Sequence, residues 1–149
     1  MKYEVRTKEF LSKLEHERIV RAIREAEAKS SGEIRVYLQR GHLVDDPLPV
    51  AQKQFHQLGM HKTEQRNAVL IFIAPRAQKF AIVGDRAIHE KCGDAFWRCV
   101  VEVMRAHFTK EEFTDAIVEA IQETGRLLAE HFPKQGPNVN ELPDEVIET

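Results

Sequence analysis

RNAVLIFIAPRAQKFAIVGDR, residues 66–86, is the stretch that decides the fold. An unbroken apolar run, Ala68 to Ala74, meets a short polar turn and then a second run, Phe80 to Val83. Two such runs across a short turn predict a β-hairpin. A strand with no polar residue needs cover on both faces. Polar residues close the outer ends, Arg66-Asn67 before and Gly84-Asp85-Arg86 after. In a hairpin those outer ends lie side by side.

Upstream, residues 33–39 alternate, with Ile34, Val36 and Leu38 against Arg35, Tyr37 and Gln39, the pattern of a half-buried strand. Between this strand and the hairpin lies a short helix. Asp46-Pro47 suits its N-cap and first position, Ala51, Phe55 and Leu58 mark its apolar side, and Gly59 ends it. A polar loop, 60–67, follows. The chain opens on a helix over 8–29 (Phe10, Leu14, Ile19, Ile23, Ala26), stopped by Ser30-Ser31-Gly32. Beyond the hairpin, Asp85 suits the cap of a helical turn reaching Cys92. Asp94 suits the cap of a second helix carrying Phe96, Trp97, Val100, Met104 and Phe108. Thr109 with Glu112 forms a capping box, and Phe108 with Phe113 a hydrophobic staple, for the last helix. Gly125 inside that helix implies close packing, and Pro133 ends it.

The order α-β-α-β-β-α-α-α predicts an α/β fold, a three-layer α/β/α sandwich around a small mixed sheet. The strand at 33–39 runs parallel to 68–74 through a right-handed crossover, and 80–83 runs antiparallel. Residues 1–133 form one domain. Residues 134–149, rich in Pro, Gly, Asn and acids, read as a disordered tail.

The 149-residue chain has 22 basic and 24 acidic side chains, a net charge of −2. Signs are interleaved, so nucleic acid is not an expected partner. The start, MKYEVRTKEFLSK, has no apolar core of a signal peptide. The longest apolar run is far short of the roughly 18–20 residues that span a bilayer. No membrane insertion and a cytoplasmic location are therefore expected. Cys92 and Cys99 would lie about 10 Å apart along one helix, beyond disulfide reach.

Topology nominates a site. The starts of two parallel strands and the end of an antiparallel one share one edge of the sheet. Glu33, Asn67 and Asp85 should converge there. His61 and Glu64 come within range, and Asp94 follows one short turn later. Carboxylates with an amide form a hard, oxygen-rich set suited to Ca²⁺ or Mg²⁺. The alternative is that Asp85 and Asp94 are helix caps and Glu33 a solvated strand end. Arg66 and Arg86 flank the same positions and match phosphate in geometry. His42, His56 and His61 lack a tight zinc-ligand pattern. Cys92-Gly-Asp-Ala-Phe-Trp-Arg98 fits the C-x₅-R spacing of cysteine phosphatases. Its Ala-Phe-Trp belongs to a helix, however, not to a phosphate-cradling loop. No P-loop, GxSxG or GxGxxG is present.

SSGEIRVYL (30–38), QLG (57–59), RNAVLIFIA (66–74), FAIVGDR (80–86), GDAFW (93–97) and FTKEEFTDAIVEAI (108–121) together resemble the TPM domain family, in its soluble subgroup, over roughly residues 8–132. The resemblance implies an α/β/α sandwich. It implies binding of a divalent metal, chiefly Ca²⁺, in an acidic pocket of some members, and the expected role is that of a non-enzymatic domain acting through a protein or membrane-protein partner. The alternative it implies is weak acid phosphatase activity, ascribed to plant members. Asn67 matches the family's polar position before the central strand, Asp94 the acidic position after the third, and Glu33 the polar start of the first. Two positions depart from the family pattern. Ala68 stands for a Gly, and GDRAIHE replaces a G-x-G-L-E stretch.

Overall fold

The computed structural model describes residues 13–39, 46–108, 112–134 and 146–148. The order of elements is α1 (Lys13–Glu27), β1 (Glu33–Leu38), α2 (Pro47–Gln57), β2 (Ala68–Ala74), β3 (Lys79–Gly84), α3 (Arg86–Phe108), α4 (Phe113–His131) and β4 (Val146–Glu148). Among the described residues the strands form one sheet in the order β3-β2-β1-β4. β1 runs parallel to β2 and β3 antiparallel to it, as the sequence predicts.

The sheet separates two apolar layers. Phe72, Leu70, Ala68 and Tyr37 pack toward Ala51 and Phe55 of α2. Ile34, Val36, Val69, Ile71 and Ile82 pack toward α1, α3 and α4. Every residue of β2 is buried, which explains why that strand carries no polar side chain.

Two expectations change. Val146–Glu148 forms a fourth strand, parallel to β1 through Val36 and Val146, where a disordered tail is expected from residue 134. Val and Ile have strong strand preference, and β1 otherwise leaves an unpaired edge. The tail's residues 135–145 lie outside the described residues. The two short helices expected across 85–108 are present as the two segments of α3, separated at Gly93, whose φ 65° and ψ −162° are non-helical. A side chain there would be strained, so glycine permits the bend. The expected capping box and staple lie outside the described residues in Thr109 and the Phe108 side chain. Glu112 is the N-cap of α4 without a side-chain cap bond.

The carboxylate of Glu112 turns instead to α3. His107 lies with Nδ1 2.9 Å from Glu112 Oε1 and Nε2 3.0 Å from Glu119 Oε2. The hydrogen bond to Glu112, then that to Glu119, raises the His107 pKa above its ordinary value, outweighing burial. The imidazolium therefore clamps α3 to α4. A raised pKa means its stabilisation is complete below about pH 6.5 and is lost as pH rises through the folded value. His107→Gln should lower the melting temperature by a few degrees at about pH 6 and scarcely at all at about pH 9, measured by thermal unfolding at each pH.

Candidate functional site at the polar end of the sheet

Glu33 lies opposite Ala68 in the parallel register. The Asp85 N–H donates to the Ala68 carbonyl at 2.9 Å from the other side. Glu33 and Asp85 thus flank one residue of the central strand and share its face, the face covered by α2. Asn67, one residue earlier, belongs by alternation to the opposite face. Its Nδ2 donates to Ser31 Oγ at 3.1 Å, and Ser31 Oγ donates to Gln65 Oε1 at 3.0 Å. All three predicted residues are buried, with Glu33 at 4%, Asn67 at 1% and Asp85 at 6% exposure. Asp94 stands apart from them, exposed at the start of the second segment of α3 and on the opposite side of the sheet from α2.

Asp85 is the most heavily bonded of the set. Arg66 Nε donates to its Oδ2 at 2.7 Å and Arg66 Nη2 to its Oδ1 at 2.8 Å. The Arg86 backbone N–H adds a bond of 2.7 Å to Oδ1. Burial opposes ionisation of Asp85, but the Arg66 hydrogen bonds, the Arg86 N–H and the charges of Arg66 and His61 prevail. Its pKa falls below the ordinary carboxylate value. That stabilisation is present above about pH 4 and is lost as pH falls through the lowered folded value. Arg66 itself has φ 54°, a left-handed conformation uncommon outside glycine.

The start of α3 is closed by these same groups. Asp85 Oδ1 takes the Arg86 N–H, the Arg66 carbonyl takes that of Ala87, and the Asp85 carbonyl takes that of Ile88. Asp85 thus caps α3, the alternative that the sequence offers for it, and stands at the shared sheet edge. Its Arg66 partner spends its bidentate face on Asp85. Arg86 is exposed, with Nε 3.9 Å from Glu90 Oε1.

Two atoms in the turn before β2 are left over. Thr63 Oγ1 and His61 Nδ1 are buried with no hydrogen-bond partner among the described residues. Orphaned buried polar atoms of this kind call for a water or an ion. The oxygen atoms of Thr63, Glu33 and Asp85 are of the hard kind that Ca²⁺ and Mg²⁺ take. The described residues contain no ready-made group of three or more His, Cys, Asp or Glu side chains for a metal. The guanidinium of Arg66 stands as the counter-ion of Asp85. Sequence reasoning missed Thr63, whose only signal is its place in the turn that feeds the buried strand.

The C-x₅-R spacing begins at a half-buried thiol, Cys92. Burial, then the charge of Glu130, raises the Cys92 pKa. Phe96, within the spacing, is fully buried. Both cysteines are free thiols.

The family model described as TPM domain matches residues 5–127. Among solved structures, the NMR structure of BA42 protein from the psychrophilic bacterium Bizionia argentinensis is 35% identical, with a TM-score of 0.89, covering 97% of this chain and 99% of that one. The N-terminal domain of cg2496 protein from Corynebacterium glutamicum has 15% identity and a TM-score of 0.66, covering 88% of this chain and 81% of that one. The N-terminal domain of a P. gingivalis protein has 17% identity and a TM-score of 0.68, covering 84% and 82%. The last two share the fold alone. A comparison with curated proteins finds no match.

Proposed function

This chain belongs to the TPM domain family, and from that premise we propose that it is a non-enzymatic binding domain. It holds a divalent cation, Ca²⁺ or Mg²⁺, at the polar end of its sheet and acts through a protein or membrane-protein partner. One observation supports the cation above the others. Buried Glu33 and Asp85 flank Ala68 on one face, beside a turn whose Thr63 Oγ1 has no hydrogen-bond partner among the described residues. Glu33, Asp85 and Thr63 would hold the ion. Asn67 braces the strand start through Ser31, and Asp94 has no direct contact in this reading. A bound cation supplies positive charge that offsets the two buried carboxylates. Arg66 competes for Asp85, so the protein carries its own rival to the ion. The free thiols suit a reducing compartment such as the cytoplasm. Among the described residues no helix is long and apolar enough to cross a membrane.

Calorimetric titration with CaCl₂ and with MgCl₂ tests the cation. Binding should weaken about tenfold or more in Glu33→Gln, which keeps shape and removes charge. It should tighten in Arg66→Gln, which releases Asp85. Absence of binding heat with both salts, in the wild type and in Arg66→Gln, rules the cation out.

A further inference from the structure

Arg66 is occupied in this structure. Its Nε and Nη2 donate to Asp85 Oδ2 and Oδ1 at 2.7 and 2.8 Å. The Arg66 side chain is nevertheless 37% exposed, against 5% for that of Asp85. The guanidinium thus covers a buried carboxylate from the solvent side. The Arg66 backbone is fixed without help from this ion pair. Its N–H donates to the Thr63 carbonyl at 3.3 Å, and its carbonyl accepts the Ala87 N–H at 3.1 Å. The side chain can therefore leave Asp85 by rotating about its own bonds, while the turn and the start of α3 stay in place.

The bond to Ala87 sets Arg66 beside the first residues of α3, and Arg86 is the first of them. The Arg86 backbone N–H is held by Asp85 Oδ1 at 2.7 Å. Its side chain is exposed and makes only a long contact, 3.9 Å, to the equally exposed Glu90. An ion pair of that kind holds little. One carboxylate thus fixes the side chain of Arg66 and the backbone of Arg86.

Neutralising Asp85 changes what these two arginines offer. With a dication on the carboxylate, Arg66 loses its counter-ion. Two guanidinium groups then rise from adjoining backbone, with Glu90 the nearby acid. Like charges on neighbouring side chains repel, and an oxyanion between them relieves the repulsion. Guanidinium groups take phosphate and carboxylate alike, through parallel N–H donors.

We propose that Arg66 and Arg86 form an oxyanion site, locked while Asp85 holds Arg66 and opened when a cation takes Asp85. Its ligand is a phosphate or carboxylate group carried by the partner protein, so the cation becomes the condition for recognising the partner. The opener rests on the cation reading of the same sheet end. The site itself does not, because removing the charge of Asp85 by substitution opens it too.

Asp85→Asn in the full chain, kept in EDTA, makes that separation. The amide oxygen still accepts the Arg86 N–H, and the charge that holds Arg66 is gone. Asp85→Ser, which keeps a good N-cap, replaces it if the first variant fails to fold. Inorganic phosphate and succinate are titrated into ¹⁵N-labelled protein while the arginine Nε–H resonances are followed. The variant should bind at least one of the two about tenfold more tightly than the wild type in EDTA, with shifts at Arg66 and Arg86. Adding Arg86→Gln or Arg66→Gln to the variant should remove that gain. MgCl₂ should give the wild type the same gain. A preference for phosphate assigns a phosphorylated segment of the partner, and a preference for succinate an acidic one. No gain in the variant, or a gain that survives loss of either arginine, overturns the proposal. Magnesium that binds without raising the affinity for either anion overturns it as well. Magnesium that does not bind at all removes the cation reading, and the variant still decides the oxyanion site.

Discussion

Phe72→Ala should cost about 4 kcal/mol of folding stability, the largest loss expected from any single substitution considered for this chain. Phe72 is fully buried in the middle of β2 and stacks on Tyr37 with centroids 5.5 Å apart. Among the described residues, its face of the sheet is covered by α2 and the short turn Met60–Lys62. A cavity there has one helix to close it, and Ala51 and Phe55 already meet the sheet with their short reach. Partial collapse is what makes a large-to-small change expensive. Native domains are stable by only about 5–15 kcal/mol, so the variant should unfold at visibly lower urea. The melting temperature should fall by about 12 °C, at about 3 °C per kcal/mol for this size. Amide exchange should rise first in α2, while α4 stays protected. A loss below about 1 kcal/mol would show that the α2 layer is looser than described.

Gly125→Val should cost about 3 kcal/mol for the opposite reason, too much volume. A Cβ built on Gly125 would lie 2.6 Å from Ala26 Cβ and 3.2 Å from Ala26 Cα. The second of these contacts is backbone, which no rotamer change relieves, so α1 and α4 must move apart. A helical glycine is itself about 1 kcal/mol less favourable than alanine. Keeping it here signals that close approach of the helices is worth more. The pairing can be read directly by a double-mutant cycle. Gly125→Ala and Ala26→Gly should each destabilise, whereas the double variant, which moves the methyl group from one helix to the other, should recover most of the loss. Additive losses would place the constraint elsewhere.

The layered fold is legible in the chain because β2 reports it twice. Its seven apolar residues demand two covered faces, and the alternation at 33–39 supplies a neighbour for one edge. The short helix is legible through Asp46, whose side chain accepts the Leu48 N–H at 3.0 Å as an N-cap does. The Gly125 contact is legible as an interior glycine in an otherwise apolar helix. What the pattern hides is tertiary. Nothing local in Val146–Glu148 announces that β1 awaits a partner; three residues are too few to show a period. Gly93 reads as a helix break, and the structure has one there; that Ile88 and Phe96 on either side pack into one core is the part the pattern hides.

The candidate site is legible as a location and less so as an arrangement. Strand order alone brings Glu33, Asn67 and Asp85 to one end. Facing is a finer property. Ala68, set between Glu33 and Asp85, puts them toward α2, while Asn67 belongs to the other side with Ser31. The Arg66–Asp85 pair spans a whole hairpin, and its two residues look from sequence like separate solvated charges. Thr63 is invisible for the same reason, since its burial depends on a turn folding over the strand end.

The central claim, a cation held between β1 and the turn before β2, is tested most directly by following amide resonances of ¹⁵N-labelled protein as CaCl₂ is added, in the wild type and in Arg66→Gln. The account predicts saturable shifts confined to residues 31–33, 61–67 and 85, reached at lower calcium in Arg66→Gln. Shifts scattered over surface acids elsewhere, or none in either protein, would contradict it.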